Sequence, residues 1–500
     1  MNRFFSHTKD RFHETIPARS YGKVEHIEIS ENRQSALVAI DLMEADWFDK
    51  QDPQKLQDFP LDLLSRKHSK GPGPGAEYLF SPYDSAKLYR LEVEVDLKDL
   101  DLILGVNPRH WGGLQFDDKA TAFLENHWFE FTTGSTQDFG NKGSLYVSLY
   151  SPPLEVYTKA KLISPSEEQR LIKVVNLNAF PAITPSGLNT LISRADADHL
   201  AAYDVGQGNC NGLLDVDYIP SLYYDLGAGV FRNAQTTPSN LEFCFSRRPM
   251  ILLSHWDTDH WAGAFAALSP PTKGTQHYEA LRMQWVAPSQ QITILHYVFA
   301  LEIQNQGGSI RIFDTPGFHQ AYSRKSGYTF EYWLGIGNDR NGTGIVLNVQ
   351  HHTLPTSWLL TGDCDYGHFP THPSGLTPLA VIAPHHGAKI ANAASIPTPY
   401  SVLGYHRLVY SFGPNNTHGR RSVSHPRQAA LRDHHAAGWD HAASFIANPG
   451  SSLIGGQDVR ATSEHNPGTA RAGVLIGWQH PSWGLQRPCK GRRCAAAPTI

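Results

Sequence analysis

The sequence predicts an α/β protein whose sheets carry a functional site along one edge. Three observations lead there. From about Ala201 onward short apolar runs recur, and each stops at a polar or glycine-rich cluster: YDVGQGN, YYDLGAG, ILLSHWDTDH, LLTGDCD and LAVIAPHHGAK. Helix-like patterns lie between them, at Trp261–Leu268 and in SHPRQAALRDHHAAG, where Ser424 is placed to cap and Pro426 suits the first turn. The clusters at the strand ends are rich in His and Asp, whose nitrogen and oxygen atoms suit Zn²⁺, Mn²⁺ or Fe²⁺.

Chain totals narrow the class. A length of 500 residues predicts two or three domains, and 40% hydrophobic residues supply ample core. A net charge of -4 gives no global basic bias toward nucleic acid, so any polyanion binding has to be local. Five scattered cysteines do not make a disulfide framework and point to a reducing compartment; Cys489 and Cys494, in PCKGRRCA, read as a tail. No run approaches the roughly 18 apolar residues of a membrane span, and the first residues show no secretory signal. The expectation is a soluble, cytoplasmic protein that avoids membranes.

Taken in order, residues 1–195 read as an α+β accessory domain of unknown role, a place for protein partners. LYRLEVEVDLKDLDLILGV and KGSLYVSLYSPP read as strands, SKGPGPGAEY as a loop, and SEEQRLIKVVNLN as a helix capped by Ser166. Residues 196–455 hold the strand-end clusters. Residues 456–500 read as a C-terminal extension, polar until AGVLIGW and partly disordered.

SHWDTDH is the densest cluster. After a strand, the alternate side chains His255 and Asp257 can converge on one point, and Asp259 and His260 on a second. Two ions roughly 3.5–4 Å apart can share ligands and clamp a reacting group. Asp363, His385 and His386 stand at other strand ends, where further ligands are wanted.

These motifs resemble those of the metallo-β-lactamase-fold hydrolases. SHWDTDHWAG is similar to their His-x-His-x-Asp-His motif, with Asp257 for the middle histidine, as in the hydrolase domain of ComEC-type DNA-uptake proteins. YDVGQGN resembles DVGQGD, NGTGIVL resembles N-x-x-S-L-V-L, and LLTGDCD, APHHGAK and YYDLGAG also have counterparts. SFGPNNTHGRRSVSHP resembles S-x-G-x-N-N-x-x-G-H-P, with an insertion before His425. The resemblance runs from about Ala201 to Gly455.

It implies an αββα sandwich and two divalent ions, zinc or manganese. His255 and Asp257 would bind one ion, Asp259 and His260 the other, and Asp363 both. His385, or alternatively His386, would complete the second site, and His319 in TPGFHQ is a candidate for the first. Asp204 and Asp225 would orient ligands. Asp259 and His425 are the expected catalytic residues, His425 protonating a leaving oxygen or else merely starting a helix. Arg420 and Arg421 could receive a phosphate; Asn416, with Asn415, could contact substrate or only shape a turn.

The implied reaction is metal-dependent hydrolysis by a metal-bridging hydroxide, with a phosphodiesterase or nuclease first and nucleic acid as the substrate. A lactonase, thioesterase or small cyclic-nucleotide hydrolase is the second reading, favoured by a pocket covered by the N-terminal domain. The third is a non-catalytic interaction module.

Overall fold

Alternation in Arg19–Ile29 (β1) places Val24 inward, and five further strands extend this pattern into a closed barrel: Ser35–Glu44 (β2), Leu88–Asp96 (β3), Trp128–Gly134 (β4), Asn141–Tyr146 (β5) and Leu154–Leu162 (β6). The order around it is β1-β2-β3-β5-β6-β4, with β4 pairing back onto β1. Val24, Ile40, Leu91, Phe129, Leu145 and Val156 fill its interior. Closure leaves no strand edge unpaired.

The computed structural model describes residues 1–5, 15–30, 32–57, 59, 81–100, 104–106, 118–238, 241, 243–266, 278–324, 327–371, 375–401, 405–418, 424–449, 458–463 and 473–479.

The rest of the chain builds two seven-stranded sheets. The first uses His199–Tyr203 (β7), Cys210–Leu214 (β8), Pro220–Leu226 (β9), Met250–Leu252 (β10), Gln284–Pro288 (β11) and Ser309–Phe313 (β12). The second uses Phe318–Tyr322 (β13), Tyr328–Leu334 (β14), Ile345–His351 (β15), Ser357–Leu360 (β16), Ala380–Ile382 (β17), Arg407–Tyr410 (β18) and Val459–Ala461 (β19). Gly473–Gly477 (β20) completes the first beside β7. β9 to β12 run parallel, as do β16 to β19. A shared core of Leu200, Leu222, Tyr224, Leu347, Trp358 and Leu360 joins the sheets, and the Tyr224 hydroxyl donates across it to the Ile345 carbonyl at 2.6 Å.

The chain is predominantly β and is not the αββα sandwich that the motifs implied. Among the described residues it contains three sheets, one a closed barrel, and its helices are short, the longest having 12 residues. The helix expected at Trp261–Leu268 is only the turn Gly263–Ala266 in its described part. The outer face of the first sheet packs on the helix Ile294–Asn305 and on barrel residues such as Tyr21 and Met43, in one continuous core. A barrel occupies space that a helical layer would fill. The accessory domain is likewise this barrel with short helices rather than an α+β domain.

Local differences have local causes. The helix Pro165–Val174 is capped by Ser164, whose oxygen accepts from Glu167 N, and not by Ser166. The helix Gln428–Ala436 begins after Ser424 and Pro426. The stretch read as a C-terminal extension supplies an edge strand to each sheet, β19 and β20. Its last dozen residues lie outside the described residues. Among the described residues no helix is long and apolar enough to cross a membrane.

Candidate metal centre

The parallel strands β9, β10, β16 and β17 all point their C-terminal ends at one rim, and the His and Asp clusters begin there. Open sheets of parallel strands commonly place their sites at such a rim. Asp225, next to last in β9, organises the loop after β10. Its Oδ1 accepts from Ser254 N (2.6 Å), and its Oδ2 accepts from Ser254 Oγ (2.8 Å) and Asn209 Nδ2 (2.8 Å). Gly227 follows because the Asp259 carbonyl passes so close that a Cβ would lie 1.8 Å from it.

The hydrogen bonds behind the histidines determine which ring nitrogen faces inward. His260 Nδ1 lies 2.8 Å from Asp225 Oδ2, and His386 Nδ1 lies 2.7 Å from the Ser411 carbonyl, which can only accept. Ser254 gives its proton to Asp225, so its oxygen accepts from His255 Nδ1 at 2.9 Å. All three rings therefore present Nε2 to the centre, an orientation typical of metal-bound histidines.

His260 Nε2 is 3.0 Å from Asp363 Oδ1, His386 Nε2 is 3.1 Å from Asp259 Oδ2, and His255 Nε2 is 3.7 Å from Asp363 Oδ2. An ion with bonds of about 2.0–2.2 Å spreads its ligand atoms about 3–3.5 Å apart. The buried Nε2 atoms of His255, His260 and His386, and Asp363 Oδ1, make no aligned hydrogen bond and meet only one another and neighbouring carboxylates. Burial without such bonds is costly, so four convergent atoms of this kind fit a cation. The donors form two groups, His255–His260–Asp363 and Asp259–His260–His386.

The charges agree. Burial would raise the Asp363 carboxyl, but His260 and the neighbouring imidazoles hold it well below the ordinary range. Burial would lower His260, yet Asp363 and Asp225 hold it well above its usual value. Without an ion the carboxylates favour the protonated form of His260 and of His386; a metal would displace those protons.

Of the residues expected at the centre, His255, Asp259, His260, Asp363 and His386 come together. His386 rather than His385 stands beside Asp259. His385 Nε2 lies between Asp363 Oδ2 (3.7 Å) and Glu28 Oε2 (4.0 Å). Asp257 Oδ2 is 3.6 Å from His255 Nε2, while its Oδ1 accepts from buried Arg340 at 3.0 Å. His319 is not in the cluster: it lies on edge strand β13, against Phe313 and Tyr332, with Nε2 at 3.2 Å from the Thr315 carbonyl. Asp204 Oδ1 accepts from Gly206 N and shapes that turn. Asn416 clasps the backbone of His425 through both ends of its amide. Arg420 and Arg421 lie outside the described residues.

Strand β1 is the contribution that sequence reasoning missed. A register shift between Val24 and His26 interrupts its pairing with β2, the kind of bulge that re-aims side chains. Glu25 Oε1 accepts from Thr258 N (2.8 Å) and Oγ1 (2.7 Å), His26 Nδ1 is 3.7 Å from Asp257 Oδ2, and Glu28 faces His385 and His425. The available signal was EHIE, with three ligand-type residues in four positions near the end of a strand. A cavity of about 70 Å³ beneath the strand is lined by His26, Asp259 and His386; another, of about 410 Å³, by Glu28, His385, Lys389 and Arg427.

Compared with protein-family models and with curated proteins, the chain matches none.

Proposed function

We propose that this chain is a metal-dependent hydrolase of phosphodiesters, with two divalent ions held around Asp363. The observation that carries this reading is the convergence of four buried donor atoms without aligned hydrogen bonds, from His255, His260, His386 and Asp363. Zinc or manganese there would supply electrophilic activation and lower the pKa of a water. The carboxylates Asp259 and Asp363 add hard oxygen donors, which suit ions that pair with phosphates.

The chain's own groups prepare that chemistry. Asp225 and Ser254 hold His260 and His255 with Nε2 inward. Asp259 is the one carboxylate of the set that is partly exposed, 27% at its side chain, and it lines the smaller cavity. β1 covers the centre and limits water. A cavity of about 410 Å³ lies in the range of small-molecule pockets. The proposed substrate is therefore a small phosphodiester or a single-stranded nucleic-acid end, not a duplex. The same cover favours the second reading, a lactone or thioester hydrolase. Cys210 and Cys364 are buried free thiols, consistent with the cytoplasmic setting proposed here.

The test is metal content and hydrolysis on one purified sample, wild type against Asp259→Ala. Bis-p-nitrophenyl phosphate, a lactone and labelled single- and double-stranded DNA are offered with Mn²⁺ or Zn²⁺. Phosphodiester cleavage lost in the variant supports the proposal. Lactone cleavage alone moves the assignment to the second reading, and no bound metal overturns both.

A further inference from the structure

We propose that Glu28, His385 and His425 form a third divalent-metal site, assembled between the barrel and the sheets and centred on Glu28, adjoining the positions around Asp363 through His385. It does not depend on the hydrolase reading.

Glu28 Oε2 is the focus. It lies 3.4 Å from His425 Nε2 and 4.0 Å from His385 Nε2, and the three donor atoms all fall within 4.8 Å of one another. His26 Nε2 approaches the same oxygen at 3.5 Å, and His418 joins His26 and Glu28 in an adjoining group. Four imidazoles thus gather about one carboxylate. The other oxygen, Oε1, is taken by Arg427, so Oε2 alone faces the rings.

Hydrogen bonding does not account for this arrangement. His425 is completely buried, and neither of its ring nitrogens has a hydrogen-bond partner; His418 Nε2 has none either. Buried polar atoms are nearly always paired, so an imidazole orphaned at both nitrogens and aimed at a carboxylate calls for a cation. The position is also built. Asn416 accepts from His425 N at 2.8 Å and donates to its carbonyl at 2.7 Å, which holds the backbone and leaves the ring to other partners. His385 sits in the left-handed region, at φ 46°, next to His386 at φ 54°, so consecutive rings reach different groups. The side-chain amide of Asn341 lies 3.4 Å from His385 Nδ1, and its oxygen end turned to the ring would accept the Nδ1 proton and leave Nε2 for the ion.

Two neutral nitrogens and one carboxylate oxygen select a borderline ion of the Zn²⁺ class and leave a coordination position open. Glu28 and His385 line the larger cavity, so an anionic ligand there would reach the ion. The ion would also tie β1 of the barrel to the PHHG turn and to the His425 loop.

The full chain is stripped with EDTA, exchanged into chelator-free buffer and titrated with Zn²⁺, as wild type, His425→Gln, Glu28→Gln and Asp259→Ala. The expected result is one ion fewer in His425→Gln and Glu28→Gln, with the Glu28 site still filled in Asp259→Ala. If both site variants bind as many ions as wild type while Asp259→Ala binds fewer, the third site is overturned and the hydrolase reading stands. If the wild type binds an ion that only the site variants lose, the third site stands and the hydrolase reading fails. Wild-type crystals soaked in Zn²⁺ need no variant to fold. An anomalous peak between Glu28 Oε2 and His425 Nε2 supports the site, and peaks confined to Asp363 overturn it.

Discussion

Arg340 Nη1 donates to Asp257 Oδ1 at 3.0 Å, so a carboxylate that the motif offers to a metal is shared with a buried guanidinium. Arg340 also donates to the Glu25 carbonyl and, through its backbone N–H, to Glu125 Oε2. Removing one partner of a buried pair leaves the other charge uncompensated, at a cost of about 3–5 kcal/mol. Arg340→Met is expected to lose about that much in metal-free protein, and less with Zn²⁺ bound, because an ion at Asp257 Oδ2 would replace the lost charge. Urea unfolding with and without Zn²⁺ reads both. An equal loss in the two states would remove Asp257 from the ligand set.

Asp225 reaches His260 Nδ1 at 2.8 Å and lies behind it relative to the centre. Such partners fix ring orientation and basicity, and losing one typically weakens metal binding about 10–100-fold. Asp225→Asn is expected to show a loss of that size in competition with a chromophoric chelator. Unchanged affinity would mean that His260 does not ligate.

Burial raises the Glu302 carboxyl from its ordinary 4.5 to about 7. Between those values the folded state keeps a proton that the unfolded chain has released. The contribution to stability is therefore complete below about pH 4.5 and lost as pH rises to about 7. The span corresponds to about 3 kcal/mol. Glu302→Gln removes the titration. The difference in unfolding free energy between wild type and variant should move in the variant's favour by roughly that amount across the window. A pH-independent difference would show that Glu302 titrates normally.

Trp478, just past β20, stacks on Trp358 of β16 with ring centroids 3.7 Å apart and donates from Nε1 to the Ala197 carbonyl at 2.7 Å. It joins both sheets near the end of the chain. Trp478→Ala should cost about 3–5 kcal/mol, the usual range for a buried Trp or Phe truncated to alanine. A loss under about 1 kcal/mol in urea unfolding, the size expected for a surface substitution, would show that the C-terminal stretch is an appendage.

Chemistry was legible where ligand-type residues stood close together in the chain. SHWDTDH, TGD and PHHG each follow an apolar strand, and the parallel strands carry them to one rim. His319 misled because TPGFHQ has suitable residues in a suitable place, yet the strand it enters pairs at the edge of the second sheet. The choice between His385 and His386 was illegible, because it depends on two consecutive left-handed residues. The sandwich expectation failed because strand-end motifs specify a rim and do not say what covers a sheet's outer face.

What the sequence determined by itself, then, was the donor inventory around Asp259, His260 and Asp363, since neighbours in a short loop after a strand remain neighbours in space. Only the tertiary structure decided that Glu25, His26 and Glu28 face that loop, that Arg340 claims half of Asp257, and that a barrel covers the centre. Those relations join residues far apart in the chain, whose meeting depends on how β1 closes its barrel and packs on the sheets. Local spacing carries no information about such a meeting.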